Sequence, residues 1–589
     1  MKEFIKYTLA TVVGLVLTSI CMTVICVVSV AGMIADESMS SKVEKNSVLR
    51  IKLHGSIEEV GGESSPLSMI QGKDDEELAQ DKILDALKKA ADDKNIKGIY
   101  LEAGSVSAEP AQLQEIRQAM LEFQKSGKWI VAYGDEYTQG SYYLCSVADK
   151  VYMNPIGSMS WSGMSSTPMF YKGLMEKVGV KMQVFKVGTY KSAVEPFICT
   201  EMSPANKEQV KSYLASIWGN MQKEVAQSRN LKVDALNALS DTLTIFADAE
   251  LSVKGGLVDQ LCYKDEVKAE LKKRLELKDD EGINFATIND VANLKGLDEK
   301  EDDEVAVYYA YGNINETEPK SPLSSHCITT DKMTKDLQDL CDDDDVKAVV
   351  VRVNSPGGSA YASEQIWHQM QLLKAKKPVV ISMGGLAASG GYYISCGANK
   401  IFAEPTTLTG SIGIFGMFPD PSEFLTQKLG LSFDVVKTNA MSDLGAMGRP
   451  FSEEECRMIQ ASVNKGYELF TGRVAKGRNM PQDSVKAIAE GRVWTGEQAL
   501  KIGLVDELGN LDDAIAAAAK LANLEKYSVS RSPKPQPWYS NFMDEASDDY
   551  MESRLRQLTG EYYPAMEFLM NLKDQSYIQA RMPYDPNLR

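Results

Sequence analysis

The chain has 589 residues, 44% hydrophobic and 25% charged, an ordinary globular balance that excludes a collagen-like, low-complexity or mainly disordered protein. At roughly 150 residues per domain, that length predicts about four domains or fewer large ones. A net charge of −18 excludes nucleic acid and anionic lipid as bulk electrostatic partners, and three histidines, His54, His326 and His368, disfavour a multi-histidine metal site or a Ser-His-Asp triad.

Residues 1–6 carry Lys2 and Lys6, and the 29 positions 7–35 carry no formal charge. A helix rising about 1.5 Å per residue crosses a bilayer core of about 30 Å in about 20 residues, so 7–35 is expected to be a transmembrane anchor. It exceeds a signal-peptide core of about 7–15 residues, which favours retention, although Ser29, Val30 and Ala31 form a small-x-small site of the kind a signal peptidase accepts. Lysines before the span and Asp36 and Glu37 after it hold the N-terminus in the cytoplasm and place the remainder on the extracytoplasmic side. Seven of the nine cysteines lie beyond the span without close CxxC pairs, which is neither a disulfide scaffold nor a zinc module. Cys145 and Cys396, on apolar segments, read as buried thiols.

The rest of the chain is organised by an internal repeat. IKGIYLE at 96–102 pairs with VKAVVVR at 346–352, and the 250-residue register continues through the TyrTyr pairs 142–143 and 392–393, Lys150 with Lys400, and Pro155 with Pro405. With a drift of a few residues, 48–57 matches 305–314, and KGGLVDQL from Lys254 matches KIGLVDEL from Lys501. The copies are assigned to 36–296 and 305–529, joined by a charged linker at 297–304. Residues 530–589 match nothing in the first copy, open on the breaker cluster SPKPQP, and read as a polar helical tail.

Within a copy, buried strand alternates with helix. VKAVVVRVN and KPVVISMG are continuous apolar runs suited to a parallel sheet, ASEQIWHQMQLLKAKK has helical spacing, and ASGGYYISCGA opens a helix. The expected fold class is therefore α/β, built from βαβ units.

Chemistry concentrates at three places. Asn354-Ser-Pro-Gly-Gly-Ser359 follows a buried strand, and Gly357 and Gly358 would let backbone N–H groups approach a ligand as an oxyanion hole; taken alone, the segment is equally a plain turn. Ser389, in GGLAASGGYY, sits at a strand-to-helix bend among small residues, which would expose its hydroxyl near the helix N-terminus. As an isolated motif it could serve only close packing, but the first copy has Gln139 at the equivalent place, so the fold does not require serine there. With no histidine in triad context, the base is sought among lysines that burial can neutralise. Lys191, in VGTYKSAVEPF, has small or apolar neighbours, and the second copy has Ser442 instead.

VGTYKSAVEPF in the first copy, followed by NSPGGS, GGLAASGGYY and LTGSIGIFG in the second, resemble the long tandem-repeat form of the signal peptide peptidase A (protease IV) family, peptidase family S49. The resemblance spans nearly the whole chain. It implies a tandem duplication of a ClpP/crotonase-like domain behind one N-terminal transmembrane helix, anchored in the bacterial cytoplasmic membrane with its catalytic domains outside. It further implies a serine endopeptidase degrading cleaved signal peptides, with Ser389 as nucleophile, Lys191 as general base, Ser411 as the hydroxyl that orients the lysine, and Gly357 and Gly358 at the oxyanion hole. A homotetramer with a bowl-shaped interior, acting on apolar peptides without cofactor, metal or nucleic acid, completes that expectation. Two other readings compete: a crotonase-like acyl-CoA enzyme, since the fold hosts both chemistries, and a non-catalytic membrane scaffold.

Overall fold

The computed structural model describes residues 43–61, 78–243, 245–294, 301–318, 326–533 and 578–582, with the isolated residues 6, 14 and 18. The expected anchor at 7–35 therefore lies outside the described residues apart from Gly14 and Thr18; among the described residues no helix is long and apolar enough to cross a membrane.

Two α/β domains repeat one another. In the first, parallel strands run in the order Leu78–Ala79, Ser47–Glu58, Ile96–Ser107, Trp129–Tyr137, Lys150–Met159 and Gln260–Leu261. The second has Ser528–Ser532, Glu304–Tyr311, Val346–Ser355, Val379–Ala388 and Leu408–Gly410 as neighbours, with Val493–Thr495 closing the edge antiparallel to the last. The helices repeat too: Gln80–Asp92 and Thr330–Asp342 begin and end 250 residues apart.

The strand periodicity explains the burial. Val349, Val350, Val351, Val379, Val380 and Ile381 are all fully buried, as expected of a parallel sheet covered on both faces. The helix Ala360–Lys376 starts where Ser359 accepts a hydrogen bond from the Ala362 N–H and ends with Lys374 and Lys376 in its last turn, a cap and a charge distribution that satisfy its free N–H groups and complement its dipole. Cys145 and Cys396 are buried free thiols.

The sequence boundaries are softer in space. Glu301 N–H donates to Ser528 Oγ at 2.7 Å and Ser528 N–H donates to Asp303 O at 2.9 Å, so part of the charged segment 297–304 is held against the sheet, and Glu304 is already strand. Ser528–Ser532 runs parallel to Glu304–Tyr311 and crosses the 529/530 division. The described end of the tail, Ile578–Arg581, is a strand, not a helix.

A third sheet ties the halves together. Its order is Cys327–Thr329, Asn313–Asn315, Gly357–Ser359, Ile578–Arg581, Phe415–Asp420, Lys181–Lys186, so a strand of the first half and a strand of the tail complete a sheet otherwise built by the second.

Beneath this junction lies a buried polar cluster. The Arg352 guanidinium donates to Glu59 Oε1 and to Glu115 Oε2, both at 2.6 Å, and to Ser382 Oγ at 3.0 Å. Asn354 Nδ2 donates to Glu59 and Glu109 at 2.9 and 2.7 Å, while its Oδ1 accepts from the Leu386 N–H at 2.9 Å. First-half carboxylates thus hold both the glycine loop and the strand that leads to Ser389.

Candidate active site

The strand Val379–Ala388 stops one residue before the helix Gly390–Ser395, and Ser389 turns the chain between them at φ 55°, ψ −110°. A non-glycine residue there stores strain, of order 1–3 kcal/mol, that only fixed surroundings sustain. They are fixed by the Ser389 N–H on Gly410 O and the Tyr393 N–H on Ser389 O, each at 2.8 Å. The Ser389 side chain does not cap the helix, which leaves its hydroxyl for another partner.

That partner is Lys191. The loop carrying it is clamped by the second half: Tyr190 N–H donates to Glu490 O at 3.0 Å and Val187 N–H to Ile414 O at 3.2 Å. At Gly491, with φ +79°, a Cβ would stand 2.7 Å from the Lys191 backbone, so only glycine allows this approach. From below, Gln209 Nε2 donates to Tyr190 O and Ser192 Oγ, both at 3.0 Å.

Lys191 Nζ lies 2.8 Å from Ser389 Oγ, 3.0 Å from Ser411 O and 3.1 Å from Ser411 Oγ. All three residues are fully buried, so the Ser389 hydroxyl, expected at an exposed bend, is enclosed. Burial pushes the Lys191 ammonium well below its ordinary 10.5, because a desolvated cation loses hydration that no carboxylate replaces. The Ser411 carbonyl can only accept, so one N–H of the lysine is directed there; the Ser411 hydroxyl accepts a second. The remaining contact, to Ser389, is a lone pair when the amine is neutral and an N–H when it is charged. One geometry therefore serves a group that takes a proton from Ser389 and later returns it.

Gly357 has φ +95° and its N–H donates to Ser355 Oγ at 3.1 Å, so its place in the site is the space left by its missing side chain. Gly358 follows on the strand Gly357–Ser359, opposite Ala580 of the tail. The structure thus brings together Ser389, Lys191, Ser411 and the glycine loop. The histidines stand apart: His368 is exposed on its helix, and His326 packs its ring 4.9 Å from Tyr311. At the equivalent place in the first copy Gln139 is buried and accepts the Gly163 N–H at 3.0 Å.

Sequence reasoning missed the Glu490–Gly491 clamp and Gln209, whose signals are a lone glycine and a helical glutamine. It also passed over the N–H of Gly390, although the amide after a nucleophile is a standard oxyanion donor.

The family model described as peptidase family S49 matches twice, over residues 122–278 and 371–525, and that of Clp protease matches 324–408. Protease 4 of Salmonella typhi is 39% identical over 455 residues, 76% of this chain and 72% of that protein. Protease 4 of Haemophilus influenzae is 36% identical, over 74% and 72%. The chloroplastic serine protease SPPA of Arabidopsis thaliana is 32% identical, over 82% and 70%.

Proposed function

The chain belongs to peptidase family S49, in tandem form, and from that premise we propose that it is a membrane-anchored serine endopeptidase working through a Ser389–Lys191 dyad. The observation that carries this reading is the 2.8 Å approach of a fully buried lysine nitrogen to a serine hydroxyl at a strained turn. In the proposed reaction neutral Lys191 accepts the Ser389 proton as Oγ attacks a peptide carbonyl. The backbone N–H groups of Gly358 and Gly390 hold the oxyanion, that of Gly357 being taken by Ser355 Oγ, and the lysine then gives its proton to the leaving amine. Water, deprotonated by the same amine, hydrolyses the acyl-enzyme. Ser411 is the positioning residue that aims the lone pair.

The proposed substrates are apolar peptides, cleaved signal peptides above all. Ile412, Ile414 and Phe415, which follow Ser411 closely in the chain, are buried, the first two in the second-domain core, apolar surroundings that suit such peptides. The uncharged span 7–35 with its flanking charges supports a single-pass anchor in the cytoplasmic membrane, N-terminus inside and catalytic domains outside. A homotetramer, expected from the family resemblance, would cover apolar surface in the segment 429–447, where Phe433, Val435, Val436 and Met447 are exposed.

The pH profile tests the base. Because only neutral Lys191 accepts a proton, kcat/KM for a fluorogenic apolar peptide is expected to rise with pH through an apparent pKa well below 10.5. A profile flat from pH 5 to 10, or one that rises only near the ordinary lysine value, contradicts a desolvated lysine base.

A further inference from the structure

The turn Ala489–Arg492 touches both sides of the proton relay. Glu490 O accepts the N–H of Tyr190, the residue before the base, and the Gly491 N–H donates to Ile412 O at 2.9 Å. Arg492 O accepts the Ser411 N–H at 2.7 Å. Ser411 needs such a hold: it stands at φ 47°, a left-handed conformation that a serine keeps only where its surroundings fix it. The turn is closed by the Arg492 N–H on Ala489 O at 2.9 Å.

While its backbone holds Ser411, the Arg492 side chain reaches the other partner. The guanidinium carbon lies 4.8 Å from the Tyr190 ring centroid and 4.5 Å from that of Trp494, distances at which a cation is drawn to a ring face. One terminal nitrogen donates to Tyr190 Oη and the other pairs with Glu208 Oε1, each at 3.1 Å. Tyr190 Oη in turn donates to Glu208 Oε2 at 3.3 Å, which closes a cycle of contacts among positions 190, 208 and 492. The Arg492 Nε–H is buried without an acceptor among the described residues. A solvated surface arginine would not bear that desolvation; here the two rings set the plane of the guanidinium. Trp494 belongs to the strand Val493–Thr495, which pairs with Leu408–Gly410 and so leads back to Ser411.

We propose that Arg492 is a second positioning residue of the dyad: clamping Tyr190 with its side chain and Ser411 with its carbonyl, it fixes where Lys191 Nζ stands between Ser389 and Ser411. This rests on the Ser-Lys reading above. A lysine amine on a flexible four-carbon stem is aimed by what holds its backbone and its acceptors, and Arg492 holds both. The charged groups around the Lys191 segment are Lys186, whose Nζ donates to Lys191 O at 3.4 Å, Glu195, which accepts from Ser203 and Asn206, Glu490, which accepts the Thr189 N–H at 3.3 Å, and the Glu208–Arg492 pair. Among the described residues the partners of Lys191 Nζ are two hydroxyls and a carbonyl. Loosening Tyr190 therefore acts on the amine through misplacement and water entry, not through loss of a counter-charge.

The test measures kcat, KM and the pH profile on a fluorogenic apolar peptide, beside thermal melts, for full-length wild type, Arg492→Met, Tyr190→Ala and the double variant in detergent. Arg492→Met keeps an apolar stem and the backbone carbonyl but removes the guanidinium. Its kcat at pH 8 is expected to fall about tenfold or more with KM within about twofold, as misplacement of a reacting group does. The apparent pKa of its kcat/KM profile is expected to rise by about 0.5 or more as water reaches the amine. In the Tyr190→Ala background the same change is expected to add less than about twofold, since one contact cannot be lost twice. Wild-type kcat and pH profile in Arg492→Met, a full further loss in the Tyr190→Ala background, or lower activity that follows the melting temperature with an unmoved profile overturns the proposal. Where Arg492→Met does not fold, Tyr190→Phe decides: losing the one hydroxyl is expected to lower kcat about threefold with the same upward movement of the profile, and wild-type values overturn the proposal. Activity retained in Lys191→Ala overturns the Ser-Lys reading itself, whereas an inactive Lys191→Ala beside an unaltered Arg492→Met overturns this proposal alone.

Discussion

Replacing Ser389 or Lys191 by alanine is expected to lower kcat/KM on an apolar peptide by about 10⁴–10⁶, and the two together by little more than either, because nucleophile and base act as one unit. Their separate effects on stability should differ. Lys191 has a folded pKa well below its ordinary 10.5, so between those two values the unfolded chain binds more protons than the folded one. Stability then rises with pH across that window, and at pH 7 burial of the lysine opposes folding. Lys191→Met keeps the volume and removes the amine, so it should be inactive yet melt higher than the wild type at pH 7. Thermal melts alongside activity check this. An inactive Lys191→Met that melts lower would point to lost structure as the cause of lost activity. Substantial activity in either alanine variant would remove that residue from the chemistry.

The second large effect falls on Arg352. Its guanidinium is buried with Glu59 and Glu115, which hold its pKa above the ordinary arginine value despite burial. Removing the cation leaves two carboxylates buried without their counter-charge, and breaking such a pair is worth about 3–5 kcal/mol. Arg352→Ala is expected to lower stability by about that amount in urea denaturation. Because Glu59 and Glu115 come from the first half and Arg352 from the second, the early loss should be the contact between halves. An unchanged urea midpoint would mean that water reaches the cluster and compensates the carboxylates.

The contrast between Arg352 and Lys191 shows what the sequence made legible. Lys191 stood out because its neighbours are small and apolar, because histidines are scarce, and because the second copy lacks it. Arg352 lies at the end of the apolar run VKAVVVRVN and was read as part of a buried strand. Its partners are 293 and 237 positions away, and no local pattern announces a pairing over that distance. The repeat held a hint, since Arg352 corresponds to Glu102 of the first copy, where Lys264 is the ion-pair partner: a partly exposed charge in one copy has become a buried charge of opposite sign in the other.

The two-copy architecture was legible for a related reason. Parallel strands buried on both faces are written as uninterrupted Val and Ile, a signal that survives duplication and drift. Strands paired only at short edges are not written this way. Gly357–Ser359 and Ile578–Arg581 owe their structure to each other; IQAR has no strand signature, and the segment that follows the breaker cluster reads as a polar helical tail. The expectation that Ser389 is exposed failed for the same cause, because the tail that helps enclose the turn arrives from 190 residues further along the chain.

The account stands on Ser389 being the residue that the site activates. The most direct measurement is to label the protein with a peptidyl fluorophosphonate at pH 8, digest it and locate the adduct by mass spectrometry. To keep the site accessible, the label is applied to protein lacking residues 578–589. One adduct on Ser389 is expected, absent from Ser389→Ala and strongly slowed in Lys191→Ala. Labelling on another serine, or labelling of Ser389 that proceeds equally fast without the lysine, would contradict it.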